Sequence, residues 1–194
     1  KKASKHESVK ETASLIAPVF KHGDGIGSYG CVAVNPPVFL SEDEARSVIY
    51  EEAKKAGIHF KPDYRTIYDN KKQSPTDHIR ITLNGLDSKR GIGFVYTDKK
   101  SIDQKSSLRA LAFEYLTNKS ANEIVAILTK AKPKMTLGTF YEPLGSYDWD
   151  RMVKDIQHGK SMAIGETAAE NANKEALRAQ VRHFIKWLKQ QGVI

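Results

Sequence analysis

The chain has 194 residues, 40% of them hydrophobic and 28% charged, the composition of one ordinary globular domain. At this length roughly 70% of the unfolded surface can be buried, so neither a disulfide nor a metal staple is required for stability. Lys+Arg 31 against Asp+Glu 23 gives a net charge of +8, which favours anionic partners, and no apolar run approaches the roughly 20 residues of a membrane span.

Cys31 is the only cysteine, which excludes an internal disulfide. The sequence opens at Lys1 rather than Met, and the expectation drawn from this is a periplasmic or secreted mature chain rather than a cytoplasmic one. Residues 1–14 are polar, carry no apolar stripe and read as a flexible N-terminal arm. Residues 15–194 read as a single domain, with no internal repeat, low-complexity tract or linker.

The domain begins with the apolar run 15–20, broken by Pro18, followed by a glycine segment. There Gly25, Gly27 and Gly30 satisfy G-x-G-x-x-G, and Val32 completes the G-x-G-x-x-G-x-V of a protein-kinase phosphate loop. The rest of that constellation is missing. Asn35 stands where the following strand would carry its lysine, and neither H-R-D nor D-F-G occurs. A dinucleotide-binding turn is excluded differently. Its glycines must open a helix, whereas these precede the strand-like run 31–34, and the next helix begins only near 42. The segment therefore reads as turn-rich backbone that needs positive φ or close approach of another chain. A local ligand loop formed by Gly25, Gly27, Ser28 and Tyr29 is the functional alternative. His22, Asp24 and Cys31 fall within ten positions and form the candidate catalytic group, since Cys beside His can act as a nucleophile pair.

Ser41 followed by Glu44 is a capping box, with Leu40 and Ala45 as its hydrophobic staple. Ala45, Val48, Ile49, Ala53 and Ala56 then share one helical face, and Gly57 occupies the C′ position, which predicts a helix over 42–56. Residues 58–60 alternate as a short strand, and 61–77 read as a polar loop carrying Tyr64 and Tyr68. Ile79, Ile81 and Leu83 alternate with polar residues, as do Ile92, Phe94 and Tyr96, so 78–97 reads as a β-hairpin turning at 87–90. The period then becomes helical. Leu108, Leu111, Ala112, Tyr115 and Leu116 predict a helix over 106–117. Ser120 and Glu123 cap a second over 121–131, pairing with the first as an αα-hairpin. Trp149, Met152, Val153 and Ile156 predict a short helix over 149–157, and a long one follows over 167–191. Strict β-α-β alternation is absent, so the fold class is α+β with a mixed or mostly antiparallel sheet.

Three further features bear on function. Residues 139–150 join Phe140, Tyr141, Tyr147 and Trp149 to Glu142, Asp148 and Asp150, and aromatics beside carboxylates suit a ligand loop or glycoside hydrolysis. Tyr141, Glu142 and Trp149 are the ligand-binding candidates there. Arg178, Arg182, Lys186 and Lys189 form a basic stripe on the last helix, the anion-binding candidate, but without interleaved aromatics to stack bases. Asn118-Lys119-Ser120 matches the glycosylation sequon. The histidines are scattered and form no ligand cluster, so neither a metal nor another cofactor is expected.

Taken together, these features favour a non-catalytic binding or accessory domain that takes a small-molecule or protein ligand. A hydrolase using Cys31 and His22, or Glu142, Asp148 and Asp150, is the second reading. A weak binder of nucleic acid or anionic lipid through the basic last helix is the third, with nucleic acid disfavoured.

Overall fold

The computed structural model describes residues 14–28, 37–70, 79–98, 114–145, 149–160 and 163–194. The elements in chain order are β1 (Ile26–Ser28), α1 (Glu42–Lys55), β2 (Thr66–Asp69), β3 (Arg80–Thr82), β4 (Gly85–Asp87) and β5 (Ile92–Thr97). They continue with β6 (Glu114–Leu116), α2 (Thr117–Ala131), β7 (Thr136–Tyr141), α3 (Trp149–Gln157) and α4 (Ala163–Gln190). The fold is α+β, as its sequence pattern predicts.

A three-stranded mixed sheet lies at the centre, in the order β4-β5-β7. β4 and β5 are antiparallel, whereas β5 and β7 are parallel, with Ile92 opposite Thr136 and Thr97 opposite Tyr141. Every residue of β5 and β7 is buried. That is the expected state of parallel strands covered on both faces. One face carries Ile92, Phe94, Tyr96 and Phe140 and is covered by α1 and α4. The other carries Val95 and Leu137 and is covered by α2 and the strand β3. Two small antiparallel ribbons, β1-β6 and β2-β3, complete the strand pairing among the described residues.

α1 forms as its sequence dictates. The Ser41 hydroxyl accepts from Glu44 N–H at 3.2 Å, and Ser41 N–H donates to the Glu44 carboxylate at 3.0 Å. Gly57 has φ +74° and donates to Lys54 O, while Ile58 N–H reaches Ala53 O, the two bonds of a Schellman ending. α3 and α4 end the same way at Gly159 and Gly192. In α4 the predicted stripe of Leu177, Val181, Phe184, Ile185 and Leu188 is buried.

Four expectations need correction. First, 78–86 is not one hairpin arm. β3 pairs with β2, and only Gly85–Asp87 pairs with β5. Between them the chain bends at Asn84, whose side chain accepts from Tyr96 N–H at 2.8 Å. Gly85 permits the close approach, since a Cβ there would sit 2.4 Å from the Phe94 ring. The polar stretch 61–77 consequently holds β2, and 58–60 pairs only through the Lys61–Leu86 bridge at its end.

Second, of the expected helix 106–117, residues 106–113 lie outside the described residues and 114–116 form β6. These three pair with Ile26–Ser28, and the backbone partner overrides the helical period. Third, the second helix begins at Thr117, a turn before the expected start, with Leu116 as its N-cap. Ser120 is therefore a buried residue inside the first turn rather than a cap. Fourth, 139–141 is not loop but the end of β7, an unforeseen strand at the centre of the sheet. The expected strand at 31–34 lies outside the described residues.

Candidate functional site

The end of the sheet where β5 and β7 finish, here the upper end, gathers several of the singled-out residues. Three long-range side chains make the junction. Gln180, 1% exposed on α4, donates to Tyr141 O and His22 O, both at 3.0 Å, and accepts from Tyr141 N–H at 3.0 Å. Asn173, one helical face along, accepts from Gly145 N–H at 2.7 Å and donates to Val38 O at 2.8 Å. Thr117, at the start of α2, donates to Glu142 O at 2.6 Å and also reaches Gly25 O at 3.2 Å. A buried amide or hydroxyl left unpaired costs about 1–3 kcal/mol, so these bonds fix the junction's geometry strongly.

Tyr141 and Glu142 belong to this junction. The Tyr141 hydroxyl donates to Gly23 O at 2.7 Å and accepts from His22 N–H at 2.9 Å. Burial raises the Tyr141 phenol above its usual range, with the His22 N–H acting the other way, so it stays a donor at neutral pH. Glu142 is 1% exposed, and one carboxylate oxygen accepts from Leu40 N–H at 2.7 Å, just before α1 begins.

The glycine segment passes through the same place. Gly25 has φ +61°, and a Cβ there would meet Asn118 N at 2.8 Å and the Tyr141 ring at 2.8 Å. Backbone geometry and lack of space thus both require glycine. Gly27 and Ser28 lie in β1. Tyr29 and Cys31, like Tyr147 and Asp148, lie outside the described residues. Trp149 is the first residue of α3, and Asp150 is exposed in its first turn.

His22 faces α4 at the rim. Its Nε2 lies 3.0 Å from His183 Nδ1, with ring centroids 4.6 Å apart. One proton bridges that contact. Partial burial, then the His183 ring and the Arg182 guanidinium, push His22 below its usual pKa, leaving it a neutral imidazole at neutral pH. Among the described residues its ring partner is another imidazole. Asp24 is exposed. Among the described residues no group of three or more His, Cys, Asp or Glu side chains is placed to hold a metal.

The basic stripe on α4 divides in two. Arg182 pairs with Glu175 at 2.5 Å and lies 3.6 Å from Glu52, and Arg178 meets Glu175 at 3.4 Å. Lys186 and Lys189 are exposed further along. Between β3, β5 and α2 runs a cleft of about 120 Å³, bordered by Ile81, Thr82, Val95, Thr97 and Ser120. It falls below the roughly 300 Å³ of the smallest usual small-molecule pockets.

Sequence reasoning missed Asn173, Gln180, Thr117 and His183. Asn173 and Gln180 did carry a signal. They sit at the i−4 and i+3 positions of Leu177, polar residues on an apolar stripe, where a buried amide must find partners. No protein-family model, curated protein or solved structure matches the chain.

Proposed function

We propose that the chain is a non-catalytic binding domain. The observation supporting this is how the buried polar groups of the upper junction are used. The Tyr141 phenol is spent on the 22–23 backbone and Gln180 on 22 and 141. Glu142 holds the chain just ahead of α1. A general acid or nucleophile needs a lone pair or proton free to meet substrate. These side chains instead tie four separate stretches of backbone into one frame. His22 adds a neutral imidazole at the rim, bound to a second imidazole.

The test is a panel of chromogenic esters, amides, glycosides and phosphate esters, assayed with the natural sequence, His22→Ala and Asp24→Asn. Both positions lie at the surface, so both variants should retain their melting temperature. The expected result is no turnover that depends on either residue. Turnover that vanishes in one variant at an unchanged melting temperature would replace this reading with the hydrolase.

A further inference from the structure

We infer that the lower end of the molecule, where the helices finish, is a docking surface for an anionic membrane. Four segments meet there. α1 and α4 run parallel, because Glu44 pairs with Lys174 at 2.9 Å and Glu52 approaches Arg182 at 3.6 Å, both steps of eight residues. Their C-terminal ends therefore share one end of the fold. A Cβ built on Gly57, just past α1, would lie 3.5 Å from Arg90 in the β4–β5 turn. Thr136 N–H donates to Gly91 O at 2.9 Å, which brings the α2–β7 connection to the same turn. The chain also enters here, since the Ser14 hydroxyl donates to Pro133 O.

These segments expose Lys54, Lys89, Lys130, Lys132, Lys134 and Lys189. Among the described residues no ion pair engages any of them, whereas Arg90 is held by Asp87 and Lys55 by Glu52. Lysines at helix C-termini ordinarily offset the helix dipole. Here that explanation is too small. Three helix ends supply about −1.5 charges in all, which against the six lysines still leaves an excess of about +4 to +5. Lys89, Lys132 and Lys134 moreover stand outside the helices.

The chemistry of the patch selects the partner. Its cations are lysines, compact point charges that suit a diffuse layer of head groups. Among the described residues it offers few groups that read or stack bases: Arg90 is held by Asp87 and Trp187 is half-buried against Phe184, while His59 is an exposed ring beside Asp87. Among the described residues no helix is long and apolar enough to cross a membrane, so the contact is peripheral.

Vesicle co-sedimentation of the full chain tests the proposal, using phosphatidylcholine alone and phosphatidylcholine mixed with phosphatidylserine, across a salt series. Binding is expected only to the anionic vesicles and should fall with salt, as screening requires. At roughly fivefold per lysine, changing Lys89, Lys130, Lys132 and Lys134 to Gln should weaken it by about a hundredfold or more. The same four changed to Arg should retain it, which separates lost charge from lost folding. Lys21→Gln with Lys119→Gln, at the opposite end, should leave binding within about twofold, as expected of lysines distant from the surface. Equal binding to neutral vesicles, equal loss in the two Gln variants, or retention by duplex DNA without vesicle binding would each overturn the proposal.

Discussion

The two ends of the central sheet are built on opposite plans. At the upper end buried polar side chains face inward. Gln180, Asn173, Thr117, Tyr141 and Glu142 each bond the backbone of a segment distant in sequence. At the lower end one buried carboxylate, Asp87, accepts from His59 N–H at 2.9 Å and Arg90 N–H at 3.2 Å, but most of the backbone closes by its own turn bonds, at Gly57, at Gly192 and between Thr136 and Gly91, and the lysines there face water. The contrast separates two uses of polarity. Where segments from across the chain must converge without a shared sheet, buried amides and hydroxyls do the joining and become unavailable for chemistry. Where helices end in glycine turns, side chains are released for contact with a partner.

Mutations should follow that division. The largest effect is expected for Gln180→Ala, which leaves His22 O, Tyr141 O and Tyr141 N–H without their partner. A destabilisation of about 3 kcal/mol should appear in the denaturant midpoint, and one below 1 kcal/mol would mean that water replaces the amide readily. Gly25→Ala comes next at about 2 kcal/mol, because φ +61° is strained for alanine and the new Cβ meets Asn118 N at 2.8 Å. Ser41→Ala should cost about 1 kcal/mol through loss of the α1 cap. At the lower end, Lys132→Gln and Lys134→Gln should each stay within about 0.5 kcal/mol of the natural sequence. A large loss from either would erase the distinction between the two ends.

Ser41→Ala also has a pH signature. The Ser41 hydroxyl, then Lys174, hold the Glu44 carboxyl at about 2 in the folded chain, against an ordinary value of 4.5. A depressed carboxylate contributes stability that is complete above the unfolded pKa and is lost as pH falls through the folded one. That contribution should thus decline between pH 4.5 and about 2 in the natural sequence. In Ser41→Ala the decline should be shallower, as measured by melting temperature across a pH series.

α1 was legible because every signal for it is local. Its cap, staple, stripe and C′ glycine all lie between Leu40 and Ile58. β7 was missed although Thr136–Tyr141 holds no charge between Lys134 and Glu142. Such a short uncharged run fits a buried parallel strand, but Phe140 and Tyr141 drew attention as part of an aromatic loop. β6 was hidden by a helical period that its pairing with β1 overrode. In the candidate site, the glycine requirement at Gly25 was readable as backbone need, but the partners that impose it were not. Tyr141 and Asn118 are distant in sequence, and the His22–His183 contact spans 161 positions. Contacts of that kind carry no local period. Only a misfit within a pattern, such as Gln180 on an apolar stripe, betrays them.

The division between the ends is tested most directly by amide hydrogen exchange of the full chain with and without phosphatidylserine-containing vesicles. Added protection should concentrate in the β4–β5 turn, at residues 130–136 and at the end of α4. Residues 22–27 and 141–145, already tied by Gln180, Tyr141 and Thr117, should exchange slowly and equally in both conditions. Protection that instead develops at 22–27 and 141–145, with the lower end unchanged, would contradict the account.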